Sequence, residues 1–519
     1  MSFWRGFRQP VRYAALVAGA IPVLAFPAPN LEFLAWAGLV PGLALMRSAP
    51  TRREGWIRGW WFGFGYLLAA MYWLAPNIGP ALLLVAVVFG FLWSAVGLAV
   101  WSLLRPPVTV RRTLAALIIV PSCWLVTEWI RSWRAIGGPW AVLGASQWQH
   151  PATLALAAVG GVWLVTFAMV AAGTGLTVAL VSSEGLARLT GLAGALIALG
   201  AGPVAFALTA PAPTTRTLTI ALVQPGPTSS DPAARLHASE RLTARASGRA
   251  SLFVWGESSV GYDLTSHPGY RADIERLARQ AGAEILVNQD AIDPAGATSK
   301  QATLVSATGI TGKYVKTRLV PFGEYIPFRS VLGWLTKISR AAPTNVQPGT
   351  GAHVLRATVA GGRPLTFGAL ICFESAFPDM SRVDTDNGAQ VIIYQTSDST
   401  FQASWAPAQH AALSAVRAAE TGRPVVQAAL TGDSAAFDAR GRTLAWAGNN
   451  FRGVVTVRLA LPRASARTLY DRLGDYVPWT AVGIAALAAL AGLARGASAR
   501  RRGGGTAAER PAELLPGSH

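Results

Sequence analysis

Cysteine is nearly absent. The 519 residues contain two, Cys123 and Cys372. Cys123 lies within an apolar run and Cys372 far away in a polar stretch, so neither an internal bridge nor a disulfide framework is expected. Charge is scarce too, at 14% of residues against a hydrophobic fraction of 52%. That balance argues against an ordinary soluble protein and fits a polytopic membrane protein. Acidic residues number 26 against 45 Lys and Arg, a formal net charge of +19. The position of that charge argues against a nucleic-acid partner, because many of the arginines flank apolar runs, as membrane orientation signals do. The six His have no ligand spacing, so no metal is expected, and no cofactor. A cleavable signal peptide does not stand out; the first apolar run reads as a retained helix.

What is present, up to residue 210, is a series of seven apolar runs, near 11–28, 31–47, 56–75, 80–104, 113–130, 152–181 and 187–209. Each is close to the ~20 residues a helix needs to cross a bilayer. Pro22, Pro27 and Pro41 interrupt the first two, which packing inside a membrane tolerates. Trp56, Trp60, Trp61 and Trp73 surround the third and suit an interfacial belt. Basic residues alternate along the loops: Arg5, Arg8 and Arg12, then Arg47, Arg52, Arg53 and Arg58, then Arg105, Arg111 and Arg112, then Arg188. The intervening loops are nearly bare, with Arg131 and Arg134 as the exception. The N-terminus is therefore expected in the cytoplasm, and residue 210 outside. Glu128, near a helix end, is costly in lipid unless paired or wet. It reads as an interfacial residue paired with Arg131 or Arg134, or as a contact to a lipid headgroup.

From Thr217 the composition changes, after a boundary at Pro211 and Pro213. Short β-like runs then alternate with Ala/Arg-rich helical stretches, which predicts an α/β domain. A last apolar run, Tyr476 to Leu493, precedes Arg495, Arg500, Arg501 and Arg502 and reads as an eighth crossing back to the cytoplasm. The expected divisions are a membrane domain at 1–210, an extracytoplasmic domain at 211–468, a C-terminal transmembrane helix at 469–495 and a disordered basic tail at 496–519. The fold class is thus an α-helical membrane domain of about eight helices with an α/β domain held at both ends on its outer face.

Three strand-end segments in that domain carry candidate chemistry. In LFVWGES, Glu257 follows an apolar strand and could take a proton; alone it is an exposed turn residue. In GKYVKTRLVPFGEYIP, Lys313 and Lys316 could stabilise a developing oxyanion, with Glu324 downstream. In TFGALICFESAFP, Cys372 ends a buried strand, where a nucleophile would be presented, and Glu374 follows it. A buried structural cysteine is the alternative.

Glu, Lys and Cys in the contexts WGES, KTRLVPFGEYIP and ICFES resemble the nitrilase superfamily. LVPFGEYIP and ICFESAFPDMSR are similar to the apolipoprotein N-acyltransferase family in particular, as are GFGYLLAAMYWL and EWIRS…GGPW…LGASQ in the membrane half. The resemblance covers most of residues 10–490. It implies an α-β-β-α sandwich in which Glu257 is general base, Lys316 the oxyanion and thiolate stabiliser and Cys372 the nucleophile. Lys316 is preferred to Lys313 because it stands eight residues before Glu324, as the family pattern requires. Glu324 and Glu374 would support Lys316 and the site geometry. The implied reaction moves an acyl chain from a membrane phospholipid, through a cysteine thioester, to the α-amine of the diacylglyceryl-cysteine of a lipoprotein, in the bacterial inner membrane with both termini cytoplasmic. A membrane-tethered hydrolase using the same three residues is the alternative.

The apolar stretch Tyr325 to Ile338 reads as a loop dipping toward lipid, with Phe328, Leu332, Trp334 and Leu335 as contacts, against an ordinary core helix; Phe373 is a further candidate contact. The family pattern loosens at Ser397, Thr400 and Leu430, and Phe373 stands where Tyr is frequent.

Overall fold

The computed structural model describes residues 10–134, 136–227, 231–292, 296–337, 342, 344–359 and 362–504. The N-terminal half is helical: α1 (Pro10–Ala25), α2 (Leu34–Arg47), α3 (Arg52–Ala70), α4 (Ala81–Leu104), α5 (Val110–Arg131), α6 (Pro151–Val181) and α7 (Gly185–Leu208). Among the described residues, five helices are long and apolar enough to cross a membrane: α4 to α7 and the span Tyr476–Arg495. α1 and α2 are shorter, and α3 carries charge at its first turns. Part of that charge is paired: Glu54 lies 2.7 Å from Arg12 and 3.2 Å from Arg58.

The middle of the chain forms two six-stranded sheets. The first has the order β12-β1-β2-β3-β4-β5 and the second β11-β10-β9-β8-β7-β6. In chain order the strands are β1 (Thr214–Gln224), β2 (Leu252–Trp255), β3 (Glu284–Ile292), β4 (Thr298–Ser306), β5 (Gly309–Val315), β6 (Val354–Val359), β7 (Arg363–Ile371), β8 (Val391–Thr396), β9 (Val425–Ala429), β10 (Ser434–Phe437), β11 (Thr443–Ala447) and β12 (Gly453–Pro462). The central pairs β1–β2, β2–β3, β7–β8 and β8–β9 are parallel.

The period of two along each strand divides the apolar residues between two cores. Ala221, Val223, Phe253, Trp255, Ile285 and Val287 face α8 (Pro232–Arg245) and α9 (Pro268–Ala281). Their neighbours Ile220, Leu222, Leu252, Val254 and Leu286 join the core that includes the second sheet. On the far side of the second sheet lie α10 (Pro378–Asp386) and α11 (Ala406–Thr421), which completes an α-β-β-α sandwich.

Helix α11 is buried along its whole length. One side packs on β9 and β10 and the other on α6, so it joins the sandwich to the N-terminal helices. α6 is kinked at Gly160–Gly161, where Gly161 has φ +71°. The kink frees the N–H of Val162, which donates to Glu420 Oε1 at 2.8 Å. Trp140 Nε1 donates to Gln409 at 3.1 Å, and Gln409 donates to the Pro27 carbonyl at 3.1 Å. Polar groups with defined partners thus fix the orientation of the two halves.

Glu128 is buried within the protein and has no Arg131 or Arg134 ion-pair partner among the described residues. It has no exposed surface, and its Oε1 accepts from Trp124 Nε1 at 2.9 Å and from the Leu143 N–H at 2.8 Å. Arg131 donates instead to the carbonyls of Trp140 and Ala141. Together they anchor the loop after α5, whose backbone groups need partners inside an apolar bundle. The last helix, α12 (Tyr476–Gly504), continues past the apolar run into an Ala/Arg stretch of good helix formers. Residues 505–519 of the expected tail lie outside the described residues.

Candidate active site

The three candidate residues come from the ends of three strands. β2 ends at Trp255, and the chain turns through Gly256 to Glu257. A Cβ at Gly256 would stand 1.9 Å from the backbone nitrogen of Leu430, so only glycine lets the two sheets approach here. The Thr396 carbonyl accepts from the N–H of Glu257 at 3.1 Å and of Leu430 at 2.9 Å. Leu430 therefore serves the site through its backbone. Lys316 directly follows β5 and is fully buried. Cys372 directly follows β7, opening a tight helical turn, Cys372–Ala376. Its φ of +51° is left-handed, which disfavours a residue with a Cβ and marks a strained, sharply turned strand end.

The side chains converge. Lys316 Nζ donates to Glu257 Oε1 at 3.0 Å and to Glu324 Oε1 at 2.7 Å. Glu324 Oε2 accepts from the Val320 N–H at 2.8 Å, which orients the carboxylate. The Cys372 thiol neighbours the Glu257 carboxylate and helps hold its pKa down. Cys372 itself remains partly accessible. Lys313, the other lysine of the segment, points away and donates to Thr265 at 2.9 Å on the surface.

The electrostatics follow from burial and this pairing. Burial alone would raise the Glu257 pKa, but the ammoniums of Lys316 and Lys300 outweigh it and hold the carboxyl below its ordinary value. Burial alone would lower Lys316; Glu257 and Glu324 hold it well above its ordinary value. The Cys372 thiol is pushed up by burial and then by the Glu257 charge. Burial and the neighbouring carboxylate thus favour the thiol form of the resting sulfur, beside a carboxylate able to take its proton.

Glu374 does not touch Lys316. Its Oε1 accepts from the Tyr314 hydroxyl at 2.7 Å and from the N–H groups of Thr317 at 2.6 Å and Arg318 at 2.9 Å. Its Oε2 accepts from the Ile371 N–H at 2.8 Å. One buried carboxylate therefore ties the residue before Cys372 to the residues after Lys316.

The apolar candidates are dispersed. Phe373 packs edge-on to Phe377, with ring centroids 5.2 Å apart, under Gly138 of the membrane half. A Cβ at Gly138 would stand 2.5 Å from Phe377 and 2.9 Å from Phe373. Phe328 and Trp334 are 78% and 54% exposed on short helical turns, which excludes the core-helix reading of this stretch. Leu332 is half-buried, and the Leu335 side chain lies outside the described residues. A cavity of about 500 Å³ opens beside the site, lined by Thr317, Arg318, Tyr325, Phe328, Phe377 and Arg134 among others. A second, of about 510 Å³ around Phe206 and Arg440, shares no lining residue with it.

Two residues absent from the sequence-based site stand behind Cys372. His410, on α11, faces the Cys372 carbonyl and the carboxylate of Asp398. The twelve-residue separation of Asp398 and His410 carries no motif, and a lone histidine in an alanine-rich helix gives no signal of its own.

Two face-to-face sheets with Glu, Lys and Cys at strand ends define a carbon–nitrogen hydrolase domain, and residues 219–467 match the Carbon-nitrogen hydrolase family model. Residues 18–175 match the model of the apolipoprotein N-acyltransferase N-terminal domain. Curated apolipoprotein N-acyltransferases are similar over most of their length. That of Allorhizobium ampelinum is 30% identical over 89% of this chain and 91% of its own, and that of Sinorhizobium fredii 33% over 76% and 78%. That of Geobacter metallireducens is 28% identical over 92% and 94%. The chain belongs to the apolipoprotein N-acyltransferase family: it is an acyltransferase built on a carbon–nitrogen hydrolase domain.

Proposed function

We propose that the enzyme moves an acyl chain from a membrane phospholipid to the α-amine of the N-terminal S-diacylglyceryl-cysteine of a lipoprotein, through a thioester on Cys372. The observation that carries this is the fully buried Lys316 ammonium bridging Glu257 and Glu324 beside Cys372, a residue that keeps some exposed surface. The Cys372 sulfur attacks the ester carbonyl carbon while its proton passes to Glu257. Lys316 stabilises the oxyanion. The ester C–O bond breaks, Glu257 returns the proton to the leaving alkoxide, and lysophospholipid departs. The lipoprotein amine then attacks the thioester carbonyl, Glu257 takes a proton from nitrogen, and the C–S bond breaks to restore the thiol.

In this reading Glu324 holds Lys316, and Glu374 fixes the strand ends that carry Lys316 and Cys372. Arg134 and Arg318, with the aromatic Tyr325, Phe328 and Phe377, suit a phosphate headgroup and the start of an acyl chain. Trp334, Leu332, Leu335 and Phe373 would contact lipid.

The membrane half keeps both substrates within reach of the thiol. Withdrawing an acyl chain into water would cost about 0.8 kcal/mol per CH₂. The alternation of arginines supports a cytoplasmic N-terminus, seven crossings before residue 210, a catalytic domain at 211–468 on the outer face of the inner membrane, and an eighth crossing within 469–495 to a cytoplasmic C-terminus.

The test is turnover by the purified chain with phospholipid and a diacylglyceryl lipopeptide. N-acylated lipopeptide is expected, and none from Cys372→Ala. Free fatty acid without N-acylation would favour the hydrolase.

A further inference from the structure

The left-handed backbone at Cys372 needs something to hold it, because a non-glycine residue there costs about 1–2 kcal/mol. Glu374 fixes the N–H of the preceding residue, Ile371. The carbonyl of Cys372 is fixed from the other side by His410, whose Nε2 lies 3.0 Å from it. His410 Nδ1 lies 2.9 Å from Asp398 Oδ1 and 3.2 Å from the Thr396 hydroxyl. A carbonyl at one ring nitrogen and a carboxylate at the other favour an N–H on both, the doubly protonated ring. Burial would lower the imidazole pKa; Asp398 and the bond to the Cys372 carbonyl outweigh it and hold it above its ordinary value.

The pair is built into the fold. Both residues are buried. The Asp398 N–H donates to the Thr431 carbonyl at 2.9 Å. A Cβ at Gly432, whose φ is +109°, would stand 2.4 Å from Asp398 Oδ2, so glycine makes room for the carboxylate. The Trp140 ring, from the loop of the membrane half, lies 5.7 Å from the imidazole, centroid to centroid.

We infer that His410, oriented by Asp398, is a positioning residue for the acyl transfer: it grips the Cys372 carbonyl and so holds the turn that aims the thiol at Glu257 and Lys316. It touches no reacting atom. Its effect should therefore appear in the reactivity of the thiol and in kcat, with the KM for phospholipid unchanged. The inference rests on Cys372 as the reacting thiol.

The test uses the full chain in detergent and follows alkylation of Cys372 by iodoacetamide, read by mass spectrometry of its peptide, beside thermal unfolding. His410→Ala should slow alkylation about 10- to 100-fold, the size of one charge-assisted hydrogen bond. His410→Gln, which keeps an N–H donor, should recover most of that rate. Asp398→Asn, which weakens the hold on the ring proton, should fall between them. A folded His410→Ala alkylated at the wild-type rate would overturn the inference, as would a folded His410→Gln no faster than His410→Ala. If His410→Ala does not fold, His410→Gln decides: folded and reactive supports the inference, folded and inert overturns it. If neither folds, a folded Asp398→Asn with wild-type reactivity overturns it and a slowed one supports it. Iodoacetamide needs no phospholipid, so a wild-type enzyme that alkylates normally yet never carries an acyl group would sink the transfer reading and leave this test intact.

Discussion

Lys316 Nζ stands 3.0 Å from Glu257 Oε1, and the lysine side chain has no exposed surface. Its other partner, Glu324, lies 2.7 Å away. Removing the ammonium leaves two buried carboxylates facing one another. Breaking a buried pair in this way costs about 3–5 kcal/mol. Lys316→Met should lose stability of that order and all N-acylation, measured by thermal unfolding in detergent and by lipopeptide turnover. Lys316→Met with wild-type unfolding would contradict the geometry.

The pH dependence of thiol reactivity follows from the burial of Cys372. Its thiol is held above the ordinary value, so the rate of alkylation should keep rising above pH 9, with no plateau near neutrality. The ion pair has its own window. Glu257 is held below its ordinary value, so the stability it contributes is full above ~pH 4.3 and is lost as pH falls through the folded pKa. Lys316 is held above its ordinary value, so its contribution is full below ~pH 10.4 and is lost as pH rises through the folded pKa. Unfolding temperatures of Glu257→Gln should therefore show a weaker acid limb than wild type.

Glu374 accepts four hydrogen bonds from Tyr314, Thr317, Arg318 and Ile371. Glu374→Gln replaces one acceptor oxygen by a donor and should cost about 1–3 kcal/mol for the groups left unpaired. Because both strand ends move, kcat should fall while the KM for phospholipid changes little. Steady-state kinetics over a phospholipid series check this.

Trp334 is exposed, so Trp334→Ala should change stability by less than about 0.5 kcal/mol. The account predicts a higher KM for phospholipid in the same variant, and likewise in Phe328→Ala. Unchanged activity with lost folding would assign these side chains to packing.

The parts of the site that sequence exposed are those written in local runs. Glu257, Lys316 and Cys372 each follow a strand; taken singly each had a structural alternative, and the three contexts WGES, KTRLVPFGEYIP and ICFES together singled them out. The longer apolar strands, such as Val391–Thr396, were legible because both faces are buried. Strands β10, SAAF, and β11, TLAWA, are short and alanine-rich, and the pairing of β10 with β9 and of β11 with β10 decides them where propensity does not. The partners of Glu128 were not legible because hydropathy says nothing of a loop folding back to meet a helix. His410 and Asp398 were invisible because their partners are a backbone carbonyl 38 residues upstream and each other.

The central claim is that Cys372 carries the acyl chain between two lipids. Mass spectrometry of the intact chain after incubation with phospholipid tests it most directly. The account predicts a single acyl adduct on the Cys372 peptide, absent from Cys372→Ala and discharged by a diacylglyceryl lipopeptide. Transfer to the lipopeptide with no adduct on Cys372 at any pH would contradict it.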